Sequence, residues 1–148
     1  YSWIGIVLGV KVLNMRAVHV IPFQHQLHHA LVIINRGGAI LAVELFGSDA
    51  NGNFDGEKGA TVLTDGLERQ LQPGEVLKLA PGESVTLNPG DWHAFWGENG
   101  DVLIGEVSTV NDDVTDNVFR EPIGRFADIE EDIAPTHLLV SDYDTWFA

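Results

Sequence analysis

The chain of 148 residues contains no cysteine, which excludes a disulfide scaffold and thiolate metal sites. Positive charge is scarce: 8 Lys+Arg face 22 Asp+Glu, a formal net charge of −14. A field of that sign repels nucleic-acid phosphates and anionic lipid surfaces, so neither is an expected partner. Long apolar runs are missing as well. The segment Tyr1 to Val10 is almost wholly apolar, but a membrane helix needs about 20 such residues. No basic segment precedes it and no small-residue cleavage site follows, so it does not read as a signal peptide. It reads as a strand, and the expected location is the cytoplasm. The chain has no starting Met, so it is expected to begin inside a longer protein, as a single domain over 1–148 lacking an N-terminal extension.

Hydrophobic residues make up 45% and charged residues 20%. That balance belongs to a globular chain and not to a disordered one. The acids are crowded: residues 98–148 hold 13 acids against two bases, a net of −11, and residues 1–97 hold nine against six.

The clearest pattern is a turn repeat. Pro73-Gly74, Pro81-Gly82 and Pro89-Gly90 recur every eight residues, in QPGEVLKL, APGESVTL and NPGDWHAF. Pro presets φ for the second turn position and Gly tolerates positive φ at the third. β-Favouring residues follow each turn at Val76–Leu79, Val85–Leu87 and Trp92–Trp96. Asp65-Gly66 predicts a hairpin between Thr61–Thr64 and Glu68–Leu71. Val10–Met15, Val18–Gln26, Ala39–Phe46 and Val102–Val107 also read as strands. Only Ala127 to Ile133 suggests a helical turn. Closely spaced strands and turns predict an all-β sandwich or barrel. The run Ser48 to Gly59 is the one long loop. Its Asp49, Asn51, Asn53 and Asp55 mimic a calcium loop, but Phe54 stands where Gly is required and Ala60 where Glu is required.

Six histidines occur, at 19, 25, 28, 29, 93 and 137. His93 follows the Pro89-Gly90 turn at the start of a strand, sharing a face with Phe95, while Trp92, Ala94 and Trp96 take the other. It reads either as a metal ligand through neutral imidazole or as a hydrogen-bonded barrel histidine. Trp92, Phe95 and Trp96 read either as core or as a platform for a sugar face.

The stretch PGESVTLNPGDWHAFWGENGDVLIGEVSTVNDDVTDN (81–117), with PIGRF (122–126), IEED (129–132), HLLVSDY (137–143) and IINRGG (33–38), resembles the D-lyxose isomerase family of sugar ketol-isomerases. The resemblance implies a cupin double-stranded β-helix, a jelly-roll barrel, with a short C-terminal helical or irregular cover holding the acids from Glu98 onward. It implies aldose–ketose isomerisation of D-lyxose or D-mannose through an enediol, a homodimer, and a divalent metal, commonly manganese. In the family the metal is held by a His-x-His pair, a Glu five residues on and a later His. His93 matches the last ligand. Gln24 and Gln26 fall on the His-x-His positions and Leu31 on the Glu position. An amide oxygen is a poor substitute for imidazole, and leucine offers no donor. A rebuilt site using His25 would need a one-residue slip, which would reverse the rest of its strand. His28 follows where the strand has ended. The resemblance also sets a Lys and a Glu facing the sugar, at Lys11 and Glu130. Lys11 alone reads equally as a surface lysine, and Glu130 lies in an acid run. Glu106 is a third candidate, if it faces the barrel interior. Asp112 and Asp113 read as ordering a turn. The alternative function is a metal-depleted cupin, a non-catalytic carbohydrate-binding or structural protein. A cupin oxygenase is a weaker third reading, because its iron would need the same missing histidines.

Overall fold

A computed structural model of the chain describes residues 9–15, 20–26, 30–108 and 117–121, the first two segments through their backbone. Ten strands run in order: β1 Gly9–Met15, β2 Val20–Gln26, β3 Leu31–Ser48, β4 Phe54–Asp55, β5 Thr61–Thr64, β6 Leu67–Gln70, β7 Glu75–Leu79, β8 Ser84–Leu87, β9 Trp92–Ser108 and β10 Asn117–Phe119. No described residue is helical. No helix among the described residues is long and apolar enough to cross a membrane. The expected helical turn at 127–133 lies outside the described residues, as do Asp112, Asp113 and the strand read at the chain start.

The architecture turns on β3 and β9, which pair antiparallel from Leu31↔Ser108 to Phe46↔Trp92. The ladder shifts register between Asn35 and Gly37 and again between Gly38 and Ile40. On one side of that break, the first half of β9 lies between β2 and β3, and β3 pairs β7 through Leu41↔Leu79 to Leu45↔Glu75. On the other side, the second half of β9 lies between β1 and β3, and β3 pairs β8 through Leu31↔Leu87 to Ile34↔Ser84. Two sheets are thus joined by two shared strands. One runs β10–β2–β9–β3–β7. The other runs β1–β9–β3–β8–β5–β6. This is an all-β arrangement as the turn spacing predicts, and the jelly roll that the family resemblance implies.

The break has a local cause. Gly38 has φ +97, and a Cβ there would collide with the Asp101 carbonyl oxygen. Only glycine lets the strands approach so closely. On β9 the bulge around Asn99 (φ 62) changes which parity faces inward. His93 and Phe95 point inward before it, and Val102 and Ile104 after it. Asn35, fully buried, ties the bend together. Its Nδ2 donates to the Ala39 and Leu79 carbonyls, both at 2.9 Å, and its Oδ1 accepts from the Gly37 N–H at 3.0 Å. The core fills with Ile33, Leu41, Val43, Leu45, Val62, Leu79, Val85, Leu87, Phe95 and Ile104. Full burial of each such side chain stabilises the fold by about 1.5–3 kcal/mol.

The Pro-Gly turns form as read, with φ of +72, +96 and +85 at Gly74, Gly82 and Gly90. Each also carries a device the sequence reading passed over. The acid after each glycine closes its own turn: Glu75, Glu83 and Asp91 carboxylates accept from the Gln72, Ala80 and Asn88 N–H groups at 2.9, 2.6 and 2.7 Å. Asp65 and Gly66 both have positive φ, 48 and 83, as a two-residue hairpin requires.

Besides one-residue shifts, as at β6, β7 and β8, the strands differ from the reading in three places. The IINRGG segment is strand, continuous with Ala39–Phe46, because the glycines bend the ladder without ending it. Likewise Trp92–Trp96 and Val102–Val107 are one strand across the bulge. The long loop contains β4, which pairs back on Gly47 and Ser48.

Candidate active site

His93 enters β9 two residues after the Asn88–Asp91 turn and is fully buried. Its ring lies parallel to Phe95, with centroids 6.2 Å apart and planes 11° from each other, the two residues sharing a face because they are two apart on the strand. Its Nδ1 lies 2.9 Å from the Asp91 carbonyl oxygen. A carbonyl only accepts, so Nδ1 carries a proton, and in the neutral ring the lone pair is then at Nε2. That is the tautomer a histidine uses to accept a substrate hydroxyl or to ligate a metal through Nε2. The Asp91 side chain has a separate role. Burial pushes its carboxyl up to about 6, against the opposing pull of the Asn88 hydrogen bonds and the Lys58 charge.

The other sequence-predicted residues fall into three groups. The β1–β9 register makes Lys11 and Glu106 direct cross-strand backbone partners. Glu106 alternates with the core residues Val102 and Ile104 and pairs on its other side with fully buried Ile33. It therefore takes the inward face and is half-buried, at the far end of β9 from His93. Gln24 pairs with His93 across β2 and β9, and Gln26 pairs with Asn117. His25 pairs with Val118; the β2–β9 ladder shifts register between Ile21 and Gln24, and past that shift it is Gln24, not His25, that stands opposite His93. Glu130 and His28 lie outside the described residues.

The aromatic residues sort by face. Phe95 is core. Trp92 is buried on the outer face, where Phe54 meets it edge-on at 5.8 Å and Phe46 packs on Phe54 at 4.9 Å. Trp96 is half-buried. The long loop thus covers the outside of the histidine strand. Ser48 and Phe54 were not readable as part of this site, because their partners lie some 40 residues away in sequence.

The fit to a divalent transition metal can be judged from the donors. Among the described residues no three His, Cys, Asp or Glu side chains gather to hold an ion. His93 offers one imidazole, and an amide residue stands opposite it at Gln24. Leu31, at the remaining ligand position of the resemblance, is 4% exposed inside the hydrophobic core. One imidazole, two amides and a hydrocarbon do not fit such an ion.

Residues 5–143 match the family model described as D-lyxose isomerase. The chain is 46% identical over 135 residues to a D-lyxose/D-mannose isomerase of Serratia proteamaculans, and 42% identical over 135 residues to one of Escherichia coli O157:H7. Each alignment takes in 90% of this chain and 59% of the relative, so the chain spans about three fifths of their length. Among solved structures, an L-ribose isomerase from Cellulomonas parahominis superposes with a TM-score of 0.57 at 13% identity, covering 77% of this chain and 58% of that one. A 3,4-ketoisomerase from Thermoanaerobacterium thermosaccharolyticum gives 0.51 at 12% identity, covering 76% and 65%. At such low identity these structures speak for the fold alone, a cupin barrel. The family model spans nearly the whole chain, and the resemblance carried by residues 81–143 extends through both sheets: the chain belongs to the D-lyxose isomerase family.

Proposed function

We propose that this protein interconverts an aldose and a ketose of the D-lyxose/D-mannose class through an enediol. What carries the reading is family membership combined with the register that sets Lys11 opposite the inward Glu106 of β9. In the proposed reaction the Glu106 carboxylate takes the proton from C2 of the open-chain aldose. The electron pair moves to form the C1–C2 double bond, and the carbonyl oxygen becomes an enediolate. The Lys11 ammonium stabilises that oxyanion. A proton then moves from the O2 hydroxyl to O1, and the Glu106 carboxyl returns its proton to C1, leaving a ketone at C2. Such positioned proton transfer is worth about 10²–10⁴-fold in rate. His93, across the β9 bulge from Glu106, would meet the sugar away from C1 and C2, with its Nε2 lone pair accepting from a hydroxyl. Glu130 is a further residue that the family resemblance sets toward the sugar.

The manganese of the metal-dependent form of this reaction finds no fitting donor set among the described residues, so no step is assigned to it. A second reading is favoured by Leu31 in the core: a metal-depleted cupin that binds a monosaccharide, or serves structurally, without turning it over. One experiment separates the two. The purified protein is incubated with D-lyxose in deuterated water, with added manganese and with chelator. Isomerisation yields D-xylulose, with deuterium at C1 in proportion to the exchange of the Glu106 proton with solvent during the enediol's lifetime. Saturable sugar binding without ketose in either condition supports the second reading and removes the first. The cytoplasmic location and homodimer belong to the same proposal, and sedimentation checks the latter.

A further inference from the structure

We propose that Ser48 and Phe54 are positioning residues that set the tautomer and placement of His93 from the outer side of the sheet. This rests on the assignment of His93 to the sugar site. One hydrogen bond ties the long loop to the Asn88–Asp91 turn, and ring packing ties it to the residue that follows. The Ser48 hydroxyl donates to the Gly90 carbonyl, in the middle of that turn. Lys58 Nζ donates to the Ser48 carbonyl at 2.7 Å, and the Gly47 N–H donates to the Lys58 carbonyl at 2.7 Å, so the loop closes on its own base. Gly47 and Ser48 pair with Asp55 and Phe54, which brings the Phe54 ring over Trp92, the residue between the turn and His93. The Arg120 guanidinium caps that ring from outside, 4.1 Å from its centroid.

The turn held in this way presents the Asp91 carbonyl to His93 Nδ1 at 2.9 Å. A neutral imidazole otherwise exchanges its proton between two nitrogens, and a fixed carbonyl at one of them decides which is protonated. Ser48 fixes the turn by a hydrogen bond, and Phe54 fixes Trp92 by ring packing. Neither touches the histidine. The long loop is therefore a clamp with a defined output: Nδ1–H toward Asp91 and a lone pair at Nε2 toward the barrel interior.

The test is the imidazole spectrum of His93 in the full chain labelled with nitrogen-15, together with steady-state kinetics where turnover is found. Wild-type protein is expected to show protonated Nδ1 and bare Nε2. In Ser48→Ala and Phe54→Leu the tautomer ratio is expected to move about tenfold toward Nε2–H, the scale on which outer partners of a site histidine act. Ser48→Thr and Phe54→Tyr are expected to restore the wild-type pattern. Under turnover Ser48→Ala should lower kcat about tenfold with KM little changed. A wild-type tautomer in both Ser48→Ala and Phe54→Leu, with cooperative unfolding retained, overturns the proposal, as does an Nε2–H tautomer in the wild type. Ser48→Ala removes a single hydroxyl and keeps the β4 pairing, so it stands as the informative variant if Phe54→Leu does not fold. The spectrum requires no turnover. Absent isomerase activity with the tautomer shift present removes the isomerase reading and keeps the clamp.

Discussion

Lys11 stands directly opposite Glu106 across the β1–β9 ladder, and Ile33 flanks Glu106 on the other side. The register sets Lys11 beside Glu106, and Glu106 lies on a strand face that is otherwise core. An inward carboxylate at the rim of an apolar interior is the kind of placement that equips a proton carrier.

If Glu106 carries the proton, Glu106→Gln should lower kcat/KM for ketose formation by about 10² or more while leaving the thermal midpoint close to wild type. Lys11→Met should lower kcat with a smaller effect, and the double variant should lose less than the two single losses combined, because both act on one developing charge. Glu106→Gln with full activity removes the assignment.

Much of the barrel was legible because its turns announce themselves: each Pro-Gly pair forms with positive φ at glycine, and the strands after them begin within a residue or so of where they were read. The joining strands were not. Asn35-Arg36-Gly37-Gly38 has the composition of a break, yet Asn35 supplies the hydrogen bonds that let the ladder bend through it. His93 was legible from its place after a turn. The inward face of Glu106 was only a possibility, because it depends on a bulge that shifts the parity of β9 by one. Ser48 and Phe54 were invisible, since a hydroxyl bonded 42 residues away leaves no local pattern.

Asn35→Ala should be among the costliest single substitutions. It deletes two donors and one acceptor at a fully buried site, leaving the Ala39 and Leu79 carbonyls and the Gly37 N–H to find other partners. Each buried polar group left unsatisfied costs about 1–3 kcal/mol, so denaturant unfolding should show a loss of about 3 kcal/mol or more. Asn35→Asp keeps the acceptor, loses both donors and buries a carboxylate, and should be no better. A loss below about 1 kcal/mol in both would show that the bend is held elsewhere.

The loop should respond to acid through Asp49. The Asn53 side chain, then the Asn53 and Asn51 N–H groups, hold its carboxyl below the ordinary value of 3.8. The folded group then releases its proton more readily than the unfolded one. Its contribution to loop order is complete above pH 3.8 and is lost as pH falls through the lowered folded value. The Asn51 and Asn53 amide proton shifts should stay level at higher pH and move together only on strong acidification. Asp49→Asn should abolish that step. A transition centred well above 3.8 would contradict the direction of the shift.

Leu31 tests the donor argument directly. A metal bound only by the folded state raises stability by about 2.7 kcal/mol at a hundredfold excess over Kd. The wild-type thermal midpoint should therefore be the same with manganese and with chelator. Leu31→Glu alone places a carboxylate among Leu87, Ile33 and their neighbours in the core; it should destabilise by about 3 kcal/mol or more. Combined with Gln24→His and Gln26→His, that same glutamate gains a cation to neutralise it. The triple variant should be less stable than wild type under chelator and recover with manganese, and His93→Ala in that background should abolish the recovery. A wild-type midpoint that climbs with manganese and falls with chelator would mean that donors beyond the described residues complete the site, and the donor argument would be wrong.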